Sequence, residues 1–364
     1  INVIAVNDTE LRSVSGTAAI TLAGENTSTG IAGSLSFNWV DGFTKAIVDD
    51  VKIAPSTLND VKPSELTIEA SRTGDIVSIS AGGAGAPRQK GLAIAGSISV
   101  NILRGSTDAV LSNIKSSSEI SGPVKVVAKD NSDIVVVAGA GSYGGKVGFG
   151  AALSVNLIQS ETNALFKASD LTYAGALEVN GTNENLIVSV AGAGGVSKDQ
   201  LGVGGTVAVN ILLSSVKAIV SEVTASSTAA NGNALINALN NSSIVNIAGA
   251  IGVAKNTGVG AAVAFNMIQP TIVASIRNSN LAVGDFSDPD NGDQSKIDVK
   301  AKDTSLITAI AAGGAGSEEL SVAAGVSANV ILSDVKASIE GTSSHHIKAT
   351  GDISVLASAE NNIY

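Results

Sequence analysis

The sequence predicts an all-β protein: a parallel β-solenoid, or β-helix, of about six tandem repeats of 53–65 residues, with four short strand-like runs in each. Three observations predict it. A short apolar run ending in Asn recurs at Asn38, Asn101, Asn156, Asn210, Asn266 and Asn329. Within the runs, large aliphatic residues alternate with small ones at a period of two, which is the period of a strand. The composition is that of thin, closely stacked layers, with 40 Gly and only 3% aromatic residues.

The Asn-ending run is the anchor of each repeat, and the spacings are 63, 55, 54, 56 and 63 residues. Eight residues after each Asn stands an Ala: Ala46, Ala109, Ala164, Ala218, Ala274 and Ala337. Two further on is a large apolar residue: Val48, Leu111, Phe166, Val220, Ile276 and Ile339. Between anchors lies a second signature whose small residue is Ala5, Ala70, Ala128, Gly181, Ala238, Ala301 or Ala357, followed six residues later by Leu or Ile. A third is rich in Gly and Ala, as in AGGAG from Ala81 and AGAG from Ala138.

We label the four runs A (Gly/Ala-rich), B (ending in the Asn), C (carrying the Ala at plus eight) and D (the second signature). In the second copy of run B, Leu92, Ile94, Ile98, Val100 and Ile102 share one face; Ala93, Ala95, Ser97, Ser99 and Asn101 share the other. The expectation is that the aliphatic face fills a core, while the small face lets run A approach closely through a thin seam. Trp39 occupies the slot of Ile102, Leu157, Ile211, Met267 and Val330 and is expected in that core. Polar stretches between A and B read as loops, and longer insertions fall between C and D near residues 55–64 and 285–295.

Equivalent residues of successive turns stack in a parallel solenoid, so the recurring Asn residues are expected to form an amide ladder. The alternative is that each Asn ends run B in a turn and bonds its own backbone. A propeller is less consistent with the repeat, because its blades are shorter and carry their own Trp or Gly-His signature. The chain begins and ends within D-type runs, so residues 1–364 read as a single array, an internal slice whose partners include flanking repeats of the same polypeptide.

Candidate chemistry is sparse. There is no cysteine, hence no disulfide or thiolate. The net charge of −10 disfavours nucleic acid. The most apolar stretch, residues 135–158, alternates and is broken by Lys146, so no membrane span is expected. No leader of the basic-then-apolar kind stands at Ile1. His345 and His346 are adjacent in a polar turn and would diverge on a strand, which disfavours a shared metal. Gly139, Gly141 and Gly144 match a dinucleotide fingerprint, but an alternating strand follows where a helix is required. The loop SDPDNGD places Asp288, Asp290 and Asp293 as candidate calcium ligands; the competing reading is a solvated turn. No insertion gathers the carboxylates, aromatic platforms and basic residues of a sugar-cleaving groove. The expectation is a protein without catalytic residues or an organic cofactor.

The phrases SISVNIL, VAVNILLSSVKA and AAGVSANVILSDVKA, with the AGAG runs, resemble repeat regions of giant exported bacterial surface proteins, the filamentous-haemagglutinin-like and autotransporter-type adhesins. The resemblance covers nearly the whole chain. It implies an extracellular or bacterial cell-surface location, a β-helical stalk, and an adhesive role toward host cells, neighbouring cells or glycans. Two other readings stand beside it: a self-assembling subunit of an extracellular fibre or sheath, associating end to end, and a β-helical polysaccharide-degrading enzyme.

Overall fold

The computed structural model describes residues 1–22, 27–54, 62–230, 232–287 and 292–364. It is a parallel β-solenoid in which one repeat makes one complete turn. Runs B and C are a single strand. Thr29–Asp49, Leu92–Ser112, Val147–Lys167, Leu201–Ser221 and Thr257–Arg277 each stay straight through the Asn, and the last turn divides into Leu320–Ile331 and Asp334–Glu340. These form the B/C sheet. Runs D and A form the facing D/A sheet. They are continuous in Asn2–Ile20, Leu66–Ala86 and Val124–Gly144, then split, as in Leu177–Asn183 and Leu186–Ser197. The four expected runs are therefore two long strands.

A third sheet has no counterpart in the sequence reading. Its strands are only 2 to 4 residues long: Lys52–Ile53, Lys115–Ser116, Asp170–Tyr173, Thr224–Ser227, Asn280–Val283 and Ile347–Ala349. The chain reaches it through a corner that is the same in five turns. Asp50, Asn113, Ala168, Glu222 and Asn278 all have positive φ, between 45° and 57°. Each stands twelve residues after a ladder Asn, and each donates its N–H to the carbonyl of the next turn, as from Ala168 to Ser221 at 2.9 Å.

Where the third sheet closes the section into a triangle, there is room for large side chains. Leu66, Ile68, Leu111, Phe166, Val220, Ile276 and the plus-eight alanines of the first five turns are buried there as one continuous cluster, with Ala337 half-buried against it. A second cluster stacks Ile76, Ile134, Ile187, Ile244 and Ile307 of the D/A sheet against Leu103, Ile158, Leu212 and Ile268 of the B/C sheet. Beyond it the two sheets converge and the interior changes character.

In that convergent part, the expected orientation of run B is reversed. Ala93, Ala95, Ser97, Ser99 and Asn101 are buried, whereas Ile98 is 41% exposed. The reason is volume. A Cβ on Gly150 would lie 2.3 Å from the Gly194 carbonyl oxygen of the other sheet, and one on Gly204 would lie 2.3 Å from that of Ile251. Backbone meets backbone across the seam, so the inside is lined by Gly, Ala, Ser and edge-on Asn, with Thr206 and Val136 as its largest other side chains. The bulky residues must face out. Hydroxyls close the seam: Ser78 to Ser99 at 3.0 Å, Ser97 to Ser80 at 2.9 Å, and Thr206 to the Gly249 carbonyl at 2.7 Å. Trp39 is likewise not core; it faces outward, 49% exposed, beside Phe37.

The Asn residues are in register, and Asn38, Asn101, Asn156, Asn210 and Asn266 sit in mid-strand, buried between the sheets, with Asn329 half-buried in the last turn. Each Nδ2 donates to Oδ1 of the next turn: Asn38 to Asn101 at 2.7 Å, Asn101 to Asn156 at 2.8 Å, Asn156 to Asn210 at 2.7 Å, Asn210 to Asn266 at 2.8 Å and Asn266 to Asn329 at 2.7 Å. The second proton of Asn38, Asn101 and Asn156 goes to the Ser two residues earlier. Asn246 crosses the seam to Asn266 Oδ1 at 2.9 Å. Asn210→Ala removes one acceptor from Asn156 and one donor from Asn266. It should lower the unfolding free energy by about 1–2 kcal/mol, read as a lower denaturant midpoint with an unchanged slope.

Candidate functional surface

Asp288 and Asp290 lie outside the described residues. Asp293 is 7% exposed, and its carboxylate organises the loop backbone. Oδ2 accepts the N–H of Asp285 at 2.7 Å, while Oδ1 accepts the N–H of Ser295 at 3.0 Å and its hydroxyl at 2.7 Å. The turn begins at Gly284, whose φ of +110° favours glycine, and a Cβ there would meet Asp293 Oδ2 at 2.5 Å. His345 folds back on its own turn, taking the Thr342 N–H on Nδ1 at 3.1 Å, and the His346 N–H bonds Asn280 Oδ1 at 2.9 Å. Among the described residues, no three His, Cys, Asp or Glu side chains converge as a metal site would require. Gly139 and Gly141 lie on the outer face of a strand, and Gly144 ends it.

A second polar ladder runs inside the molecule and escaped the sequence reading. It holds Arg72, Asp130, Asn183, Asn240 and Asp303, paired turn to turn. Arg72 and Asp130 are both buried; Nε and Nη2 of the guanidinium each lie 2.9 Å from Asp130 Oδ2. Arg72 Nη1 donates to the Arg104 carbonyl at 3.1 Å. A Cβ on Gly105 would come 2.4 Å from that Nη1, so the glycine makes the room. Further along, Asn183 donates to Asn240 at 3.2 Å, Asn240 to Asp303 at 2.8 Å, and Ser333 to Asp303 at 2.6 Å. The sequence signal was present: the position two after each small D-run residue is polar in six turns, from Asn7 to Asp303.

Acidic residues stack beside this ladder. Glu10, Asp75 and Asp133 are paired in register. Burial, then the nearby Asp75 carboxylate, pushes Asp133 up to about 6, although the Leu186 N–H bonds its Oδ1 at 3.1 Å. Burial and the charges of Glu10 and Asp8 also raise Asp75. The Asp133 pKa lies above its unfolded value of about 3.9. The folded state therefore holds the proton more tightly, and stability falls as pH rises from about 4 to 6. Because the carboxyl is partly exposed, the loss is discounted to ~1–2 kcal/mol. Asp133→Asn should raise stability by ~1 kcal/mol at pH 7 and leave it unchanged at pH 4, as denaturant melts at the two pH values would show.

The dominant surface feature is apolar. On the outer face of the B/C sheet the middle turn presents Leu201, Val203, Gly205, Val207, Val209 and Ile211. The five other turns place equivalents beside them in register, and only Thr29 and Thr257 in this block carry a polar side chain. An outward side chain within a parallel sheet is half covered by its neighbours above and below. The 40–42% exposure of Ile98, Val207 and Val263 is therefore that of a face turned fully to solvent. The run-A part of the outer D/A face is apolar too, with Val137, Val190 and Ile247 beside a trough floored by Gly139, Gly141, Gly192 and Gly194. Two parts of the trough hold about 680 and 600 Å³.

No family model, curated protein or solved structure matches the chain. Among the described residues, no helix is long and apolar enough to cross a membrane.

Proposed function

We propose that the chain is a non-catalytic structural module, the stalk or ligand-presenting shaft of a bacterial surface or secreted adhesin. The observation that carries this reading is the unbroken register of the B/C sheet. Five long strands pair residue for residue over 21 positions, and the Asn ladder joins all six turns. An enzyme built on a repeat departs from it where its site sits. Among the described residues, the variable loops between runs A and B hold exposed turn residues such as Arg88, Lys90, Lys198 and Asp199. The uniform shaft separates what lies at its two ends and displays a repeated surface along its length.

The test is attachment of cells that display the parent protein. Removing these turns should reduce attachment. Replacing them with an unrelated solenoid of equal length should restore it for a spacer and leave it reduced for a ligand-presenting shaft. Unchanged attachment after removal contradicts both forms. Turnover of neutral or acidic glycans by the purified chain would support the enzyme reading instead.

A further inference from the structure

We propose that the outer face of the B/C sheet is the contact surface for a second copy of this chain, packed side by side with parallel solenoid axes. The pairing stands apart from the shaft reading, because it rests only on the shape, size and chemistry of this face.

Size comes first. The uncharged block spans six outward columns and six turns. At ~3.3 Å per residue along the strand and ~4.8 Å between strands, that is roughly 1,000 Å². The largest apolar patch of a typical monomer is ~300–600 Å², and a stable protein contact needs ~800 Å² per partner. The face therefore exceeds what an ordinary free surface carries and suffices for a dimer.

Shape selects the partner. The third column is small in every turn: Gly33, Gly96, Ala151, Gly205, Ala261 and Ala324. The column beside it is bulky: Leu35, Ile98, Leu153, Val207, Val263 and Val326. A Cβ on Gly33, Gly96 or Gly205 would touch nothing, so internal packing does not require these glycines. Glycine within a strand marks the close approach of another backbone. A two-fold axis parallel to the solenoid axis, between these columns, seats each ridge in the partner's groove and keeps every turn level with its equivalent. The contact is then self-complementary, as a two-fold interface must be. A two-fold axis along the strands would oppose groove to groove and ridge to ridge, leaving voids and clashes.

Charge disfavours a lipid surface as the occupant. One border column of the block carries Asp41 and Arg104 among neutral residues, the loops at the other border mix Arg88, Lys90, Lys146, Lys198 and Lys255 with Asp199, Glu318 and Glu319, and the chain as a whole is at −10.

Sedimentation velocity over a range of concentrations should show a monomer–dimer equilibrium. Ile98→Glu combined with Val207→Glu should raise its Kd at least 100-fold while leaving the far-UV circular dichroism unchanged. Val137→Glu with Ile247→Glu, on the opposite face, should leave Kd unchanged. The chain has no native cysteine, so Val207→Cys gives an independent readout without a buried charge. A short bismaleimide should link two Val207→Cys chains and should not link Val190→Cys chains. The proposal is overturned if the wild-type chain stays monomeric throughout or if dimers survive the B/C-face glutamates. Linking through Val190→Cys alone, or binding of the monomer to neutral phosphatidylcholine vesicles, also overturns it.

Discussion

Asp130→Ala should lower the unfolding free energy by about 3–5 kcal/mol, because it leaves a buried guanidinium without its counter-charge. Arg72 and Asp130 have side chains 1% and 0% exposed. Burial alone would push the Asp130 pKa up; the Arg72 charge and the Ser132 hydroxyl at 2.6 Å oppose that shift. Removing the carboxylate strips Arg72 of its Nε and Nη2 contacts and leaves only the Arg104 carbonyl on Nη1. The same ladder continues with neutral amides at Asn183 and Asn240. Arg72→Asn with Asp130→Asn should therefore recover at least half of the loss, because the stack then needs no buried charge. Equilibrium denaturation of the three variants checks both statements. A double variant no more stable than Asp130→Ala would mean that the ion pair, not the polar stack, holds this layer.

Gly195→Ala should cost about 3 kcal/mol or more, since over-packing costs up to about that much even where side chains can shift. Its Cβ would lie 1.9 Å from the Val203 carbonyl oxygen and 2.6 Å from that of Gly148, both in the facing sheet. Backbone in a paired strand cannot give way locally. The adjacent residue reverses the outcome. A Cβ on Gly194 meets nothing within 4 Å, so Gly194→Ala should be neutral or stabilise by up to ~1 kcal/mol through the unfolded chain. Comparable effects at the two positions, measured as denaturant midpoints, would contradict the closed seam.

The repeat, the β class and the register of the Asn were legible because parallel turns place like residue on like. A residue that gains from an identical neighbour recurs, and recurrence can be read. The direction in which run B faces was not legible from alternation. Period two separates Ile98 and Val100 from Ser97 and Ser99, but does not say which set is wet. The usual assignment of aliphatic residues to the inside fails here because the interior has no volume for them. The clue lay in both partners of the seam: run A offers Ala and Gly where run B offers Ala, Ser and Gly, and an alternating strand has only one inner face. The third sheet stayed hidden because strands as short as Lys115–Ser116 show no periodicity. The Arg72–Asp303 ladder was obscured by its mixture of Arg, Asp and Asn, although its position two after a recurring small residue is fixed. In the candidate calcium loop Asp293 binds loop N–H groups, while Asp288 and Asp290 lie outside the described residues.

The orientation of the strands around the closed seam is the central claim, and thiol labelling at adjacent positions tests it most directly. The cysteine-free chain accepts single probes. Val137 and Ile247 are 42% and 44% exposed, while the neighbouring Val136 and Ala248 are 0%. Under native conditions, Val137→Cys and Ile247→Cys should react with a maleimide about as fast as a free thiol. Val136→Cys and Ala248→Cys should react only at the rate of unfolding. Fast labelling at Val136→Cys and Ala248→Cys, with Val137→Cys and Ile247→Cys protected, would mean that the large aliphatic face lies inside and would contradict this account.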